Sequence, residues 1–157
     1  MPPFPTAATI IATKTDRVQN SGAAETDLIT LRIPPGTLRN IGDTLVITAA
    51  VNLAANANNK TNKLYIGTTQ ISTRTGTDNN LPRTTQAWVT KRGNNQQNCV
   101  SLEQLHGNAT NVIFTDTTEA EDVPLLVRYT GQGVSTGDLE SRLLQVTYVP
   151  VGSVFGF

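Results

Sequence analysis

Cysteine and histidine each occur once among the 157 residues, as Cys99 and His106. A single thiol excludes an intramolecular disulfide, so the framework of a small secreted domain is absent and we expect folding in a reducing compartment. A Cys-His or Ser-His-Asp site would need His106 within about 3 Å of its partner, whereas the extended strand predicted between them holds Cys99 roughly 20 Å away. Zinc sites use three or four imidazole or thiolate ligands, and the chain offers two. We therefore predict that Cys99 is a small buried hydrophobe and that His106 is a turn residue.

Excess charge and long apolar runs are also missing. Twelve basic and twelve acidic residues cancel to a net charge of zero, so no overall field attracts the protein to nucleic acid or to an anionic membrane. No stretch approaches the roughly 18 apolar residues of a membrane-spanning helix, and the first residues lack the basic start and apolar core of a signal peptide. We expect a soluble protein with no nucleic-acid partner and no membrane partner.

Sequence signatures of catalysis and of metal binding are absent. Phosphate loops of the GxxxxGKS and GxGxxG types do not occur, and no spacing singles out the pair of carboxylates that glycoside hydrolysis needs. Acidic residues cluster at Asp116, Glu119, Glu121 and Asp122, but their spacing does not match a known calcium loop. We interpret this acidic run as a solvated connection. The sequence predicts no catalytic residue, no bound metal and no cofactor, so we do not expect an enzyme.

The clearest pattern that is present lies between Asp27 and Leu53. Apolar and polar residues alternate there with the period of two that is typical of half-buried strands. The first segment is ended by Pro34, Pro35 and Gly36, because proline donates no ladder hydrogen bond and glycine tolerates turn dihedrals. The alternating apolar positions that predict one buried face are Ile29, Leu31 and Ile33, followed by Leu45, Ile47, Ala49, Val51 and Leu53.

The rest of the chain shows the same pattern of short strands separated by turn clusters. Eight or nine strands without a convincing helix predict an all-β protein, an antiparallel two-sheet sandwich over residues 10–150, and more narrowly a jelly roll. The last two strands, Val123 to Thr130 and Ser141 to Pro150, are predicted to form a hairpin with a long loop. Trp88 has no aromatic neighbours, so we expect it to fill the core or an interface rather than to be a stacking platform.

Both ends of the chain have the composition of extended arms. Residues 1–9 carry three prolines around Phe4, which favours an extended segment over a packed element. Residues 151–157 form a tail with two aromatic residues, an unusual composition for a solvated end. We predict that Phe4, Pro5, Phe155 and Phe157 contact a partner, because a lone aromatic on an extended terminus is useful chiefly as an anchor in a pocket.

Several of the turn motifs resemble those of small β-sandwich virion proteins of tailed bacteriophages. The resemblance covers most of the chain from Leu28 to Pro150, while both arms lie outside it. The residues that carry it are Ile33-Pro34-Pro35-Gly36-Thr37-Leu38, Gly42-Asp43, Asn58 to Gly67 (NNKTNKLYIG), Tyr129 to Gly133 (YTGQG), Asp138, and Arg142 to Pro150.

This resemblance implies a non-enzymatic structural protein of the virion, made in the host cytoplasm. One possibility is a capsid decoration (cement) protein that binds the major capsid protein and copies of itself, with a homotrimer as the expected state. The alternative is a tail or fibre module whose exposed loops, such as Asn56 to Asn62 and Gly76 to Asn80, contact a host surface glycan or protein. The two extended arms favour cement, because arms that reach onto neighbours bury surface without a larger core.

Overall fold

The computed structural model describes residues 7–105 and 108–152, with the side chains of 108–110 left aside. These residues contain ten β-strands and no helix, so none of them belongs to a helix that could cross a bilayer. The strands are β1 Thr9–Lys14, β2 Thr26–Ile33, β3 Thr44–Leu53, β4 Lys60–Ile66, β5 Thr69–Gly76, β6 Pro82–Gly93, β7 Gln96–Leu105, β8 Asn108–Thr117, β9 Leu125–Gln132 and β10 Leu139–Val149.

The strands form two antiparallel sheets. One has six strands in the order β1-β10-β3-β6-β7-β8, and the other has four in the order β2-β9-β4-β5. The prediction of an all-β, two-sheet sandwich is therefore confirmed. The narrower prediction of a jelly roll stays a prediction; it is favoured by the nested order, in which β10 returns beside β1 and β9 beside β2. The described residues contain ten strands, whereas the sequence predicted eight or nine. The difference includes β5, in which Gln70 to Thr73 form part of a full strand.

The core lies between the sheets and follows the alternation of the sequence. On β3, the five apolar positions predicted for one face are all buried, and on β2 the same holds for Ile29, Leu31 and Ile33. Removing each valine, leucine or isoleucine side chain among them from water contributes about 1.5 to 3 kcal/mol. Cys99 is fully buried on β7, as predicted, and burial raises the pKa of its thiol to about 11.

The predicted hairpin of the last two strands is wrong. Strand β9 pairs with β2 and β4, whereas β10 pairs with β1 and β3 in the other sheet. The connection 133–138 crosses between the sheets instead of turning back within one. Alternation is the same for strands that pair with each other and for strands that face each other across a core, so the pattern of the two segments could not distinguish these arrangements.

The loops gather at the two ends of the sandwich. The terminal end comprises loops 34–43, 67–68, 94–95 and 118–124, together with the starts of both terminal segments. The far end comprises loops 15–25, 54–59, 77–81 and 133–138.

Candidate functional site

The four residues predicted to bind a partner, Phe4, Pro5, Phe155 and Phe157, lie outside the described residues, as does His106. The positions from which the two terminal segments leave are described, however. Strand β1 begins at Thr9, which pairs with Tyr148 next to the end of β10. Both segments therefore leave the sandwich side by side at the terminal end, and this end is the candidate functional site.

Asp43 fixes the beginning of the C-terminal segment to the corner between β2 and β3. One carboxylate oxygen accepts hydrogen bonds from the backbone N–H groups of Arg39 and Asn40, both at 2.9 Å, and from the Tyr148 hydroxyl at 3.0 Å. The other accepts the Val151 N–H at 2.9 Å. The side chain is fully buried. One anionic group thus accepts hydrogen bonds both from the β2–β3 corner and from the start of the C-terminal segment.

The same contacts determine the ionisation of this site. Burial alone would raise the pKa of Asp43, but the hydrogen bonds from Asn40, Val151, Arg39 and Tyr148 outweigh it and hold the pKa below the ordinary value. The pKa of Tyr148 is raised to about 12 by burial, by its hydrogen bond to Asp43 and by the charge of that carboxylate. Asp43 is an anion and Tyr148 a neutral donor at physiological pH.

Gly42 allows the C-terminal segment to pack closely on this corner. Its φ of 100° lies in the region that favours glycine, and a Cβ there would lie 2.7 Å from the Val151 Cγ2 atom. The Gly42 N–H donates to the Lys91 carbonyl at 2.8 Å. A larger residue at position 42 would force Val151 away, so the corner and the start of the C-terminal segment form one packed unit.

The acidic run is only in part the solvated connection that we expected, because Asp116 and Asp122 are exposed whereas Glu119 and Glu121 are bonded within the molecule. One Glu119 carboxylate oxygen accepts the backbone N–H and hydroxyl groups of both Thr68 and Thr69, at 2.7–3.2 Å. Glu121 forms an ion pair with Lys91 and accepts a hydrogen bond from Gln97 at 2.7 Å. These carboxylates attach loop 118–124 to the β4–β5 turn and to β6 and β7. Among the described residues no group of three His, Cys, Asp or Glu side chains is arranged to hold a metal ion.

A polar cleft of about 310 Å³ opens at the terminal end. Its walls come from the β2–β3 corner, from the β6–β7 turn and from loop 118–124. It carries both signs of charge, and the Lys91–Glu121 ion pair forms part of it. Its lining residues are Gly36, Leu38, Arg39, Lys91, Asn94, Asn95, Glu121 and Asp122. This composition suits the rim of a contact surface more than an apolar ligand pocket.

Three apolar side chains at the terminal end face solvent. Ile41 is 66% exposed, Val123 is 49% exposed and Val151 is 51% exposed, and each lies in a loop or segment of the terminal end. Single exposed apolar residues are ordinary, but three on one end, next to two aromatic-bearing segments, are typical of a contact surface. The sequence predicted a contact role for the terminal segments but not for these loop residues. The alternation of apolar and polar residues reveals strands and carries no information about irregular loops.

A second polar cluster lies between the sheets. The Glu103 carboxylate accepts hydrogen bonds from Ser72 at 2.5 Å, from Thr85 at 2.9 and 3.0 Å, and from Asn62 at 3.2 Å. Thr85 also bonds the Tyr129 hydroxyl at 3.2 Å. Burial raises the pKa of Glu103 against the effect of these donors and of the nearby Arg83 charge. All five residues are at most 1% exposed, and the hydrogen bonds of this carboxylate join the two sheets.

Trp88 is not part of the core, contrary to one of the two roles predicted for it. Its neighbours Ala87 and Val89 point into the core and are fully buried, so Trp88 lies on the outer face of the six-stranded sheet, where it is half-buried. Its cross-strand neighbours are Val46 and Val100. The other predicted role, in an interface, stays a prediction.

No protein-family model matches the sequence, and no curated protein matches it either. Among solved structures, the chain is similar to the CBM2 module of the evolved Dit of Lactobacillus casei BL23 phage J-1, with 8% identity and a TM-score of 0.42 over 96% of this chain and 99% of that one. It is also similar to a protein of the infectious bursal disease virus Gt strain, with 12% identity and a TM-score of 0.39. That match covers 94% of this chain and 33% of the viral one, so the chain spans about a third of that protein. Both similar proteins are viral, but likeness at this level assigns neither a family nor an activity.

Proposed function

We propose that the protein is a non-enzymatic structural component of a bacteriophage virion, and specifically a capsid decoration (cement) protein that binds the major capsid protein through its terminal end. The observation that carries the proposal is the convergence of both terminal segments with exposed apolar side chains on one end of the sandwich. A protein that joins neighbouring subunits needs such a surface, because several extended contacts from one end can reach more than one neighbour.

The chemistry of the described residues supports a binding role. The most elaborate cluster of a carboxylate and hydroxyl groups, around Glu103, is sealed between the sheets. The terminal end instead offers apolar side chains, a polar cleft and a rigid base made by Asp43. A base that is already held in place lowers the ordering cost of attachment.

Loops of the far end were predicted to contact a host under the tail or fibre alternative. The Asn56 and Asn58 amides donate to the Asp138 carboxylate at 2.8 and 3.2 Å, and the Lys60 side chain is fully buried. These groups are used inside the molecule, so the Asn56 to Asn62 loop offers fewer free donors to a glycan than its sequence suggests. The homotrimer implied by the resemblance stays a prediction under either role.

Deletion of the terminal segments tests the cement function. Removing Met1 to Pro5, or Val154 to Phe157, should leave the denaturation midpoint nearly unchanged and lower the occupancy of the protein on purified capsids by at least about tenfold, a loss of roughly 1.4 kcal/mol of binding free energy. Occupancy is measured by co-sedimentation and by electron microscopy of decorated particles. Unchanged occupancy after both deletions would contradict the proposal.

A matched pair of point variants separates the two ends. Ile41→Asp at the terminal end should lower capsid occupancy, whereas Val134→Asp, which changes a similarly exposed residue at the far end, should not. The reverse result, or binding of the purified protein to host cells with competition against phage adsorption, would favour the tail or fibre alternative.

A further inference from the structure

The outer face of the six-stranded sheet carries an uncharged row of side chains that crosses every strand. Antiparallel pairing aligns one residue from each strand at the same level. In sheet order the row is Ile10, Thr147, Val46, Trp88, Val100 and Phe114. Ile10 is 59% exposed and Phe114 is 75% exposed, while the four between them are half-buried. The sole tryptophan therefore lies near the middle of a mostly apolar row that faces solvent.

The adjacent row is also uncharged, although four of its six side chains are polar. It runs through Thr13, Gln145, Thr48, Gln86, Leu102 and Val112. Neither row contains an acidic or a basic residue, and Val112 is 52% exposed. The charges on this face lie outside both rows, in the Arg92–Asp116 pair towards the terminal end and in the Arg142–Glu140 pair towards the far end.

Charged residues are found on the opposite outer face. There the four-stranded sheet presents Arg32, Lys63 and Arg128, with Glu25 and Asp27 beside them. Solvated sheet faces normally carry such charges, whereas the centres of protein interfaces are depleted of charge and enriched in tryptophan and phenylalanine. The contrast between the two faces indicates that the uncharged one is covered by protein.

The dimensions of this face match a self-interface. Six strands spaced about 4.8 Å apart, with a length of about 30 Å, give the whole face, including its margins, an area of roughly 800 Å². A stable pair of proteins buries about 800 Å² on each partner. A second copy of this chain also satisfies charge complementarity, because two neutral faces meet without like charges opposing each other.

The sizes of the side chains specify how two copies fit. The larger residues, Trp88 and Phe114, lie on the β6–β8 half of the row, and the smaller Val46 and Thr147 lie on the β10–β3 part. A two-fold axis parallel to the strands, between two such faces, brings β8 over the second copy's β1 and β6 over its β3. Each Trp88 then faces a valine, and each Phe114 faces Ile10. Packing of large against small residues fills such a layer without voids.

We infer that the outer face of the six-stranded sheet is the interface of a homodimer with this two-fold axis. The interface is distinct from the terminal end, so it does not depend on the proposed attachment to capsids. It predicts a dimer where the resemblance implies a trimer, and the mass of the protein in solution distinguishes them.

Sedimentation and the fluorescence of the sole tryptophan test the dimer in the full chain. Interfaces of this size have affinities from about micromolar to picomolar, so at roughly 50 µM the protein should have twice the 16.8 kDa mass of the chain. Dilution should shift the Trp88 emission to longer wavelength and make it more accessible to iodide. A monomer or a trimer at that concentration, or emission that is independent of dissociation, would overturn the inference.

Charge variants at the edges of the face test its geometry. Phe114→Lys and Ile10→Glu alter exposed residues, so the fold should persist, and each should raise the dimer dissociation constant at least about tenfold because each dimer contains two substitutions. The double variant should recover at least about tenfold of the affinity, since lysine and glutamate then oppose each other across the interface. Gln70→Lys, on the exposed face of β5, is the matched control and should leave the dimer intact. Failure of the double variant to recover affinity, or equal weakening by the control, would contradict the proposed arrangement.

Discussion

At the scale of single residues, two buried aspartates organise the loops at opposite ends of the molecule. Asp43 and Asp138 each follow a glycine with positive φ, 100° at Gly42 and 83° at Gly137. Asp138 accepts the backbone N–H groups of Val134 and Ser135, both at 2.8 Å. In the sequence, both aspartates stood out only as members of turn motifs. The hydrogen bonds to distant segments depend on the tertiary fold and leave no local signal.

The pH dependence of stability should report the Asp138 contacts. Burial would raise its pKa, but donors from Ser135, Asn56, Asn58 and Val134 outweigh burial and lower it from the ordinary 3.8 to about 2. A carboxylate with a lowered folded-state pKa contributes stability above its unfolded pKa, which is lost as pH falls from about 4 to about 2. Asp138→Asn should therefore reduce the free energy of unfolding by about 2 kcal/mol at pH 7.

Urea denaturation as a function of pH checks this prediction. The difference between Asp138→Asn and the unmodified protein should be full at pH 5 to 7 and should shrink towards pH 2. Asp122→Asn, which changes an exposed aspartate, is the control and should alter stability little at either pH. A difference for Asp138→Asn that did not change with pH would contradict the assigned role of its charge.

At the scale of elements, the start of β4 is held by a buried lysine. The Lys60 ammonium donates to the backbone carbonyls of Asn56 at 2.8 Å, and of Asn58 and Asp78 at 3.1 Å. It thus joins loops 54–59 and 77–81. Burial lowers the pKa of this lysine, while the charges of Asp138 and Asp78 oppose that effect. Without this ammonium, the three carbonyl groups would lose a positively charged hydrogen-bond donor.

Replacing this ammonium should destabilise the far end. Lys60→Met preserves most of the volume but leaves three carbonyls without their donor, so we expect a loss of about 3 kcal/mol in the free energy of unfolding. Lys63→Met on the same strand removes only a partly exposed ion pair with Glu25 and should cost less than about 1 kcal/mol. Denaturant titration of the two variants measures the difference, and equal losses would show that Lys60 is not the special position.

The elements also show which parts of the fold the sequence could predict. Strands β2 and β3 were predicted almost to their ends, because every second residue of the alternating segments is apolar. The inward-facing polar residues were missed, although Arg83 and Thr85 are in phase with the buried Ala87 and Val89. Extending the period of two through polar positions would have placed them inside. Their partners across the core could not be predicted, since those contacts join strands from different sheets.

At the scale of the whole molecule, the buried thiol provides a measure of cooperative opening. Cys99 is fully buried in β7, between β6 and β8. A reagent such as a soluble aromatic disulfide should not modify the native protein, and modification in denaturant should follow the loss of sheet structure. Fast modification without denaturant would indicate local opening of β7 and β8, which would contradict one cooperative sandwich.

The position of the two terminal segments has a mechanical consequence. Because Thr9 pairs with Tyr148, a load applied between the two chain ends would act from one side on neighbouring antiparallel strands. Such a load opens hydrogen-bonded pairs one after another, like a zipper, and does not shear them all together. The hydrogen bond from Val151 to Asp43 anchors one side, so β1 would peel away first and the other nine strands would bear tension only afterwards.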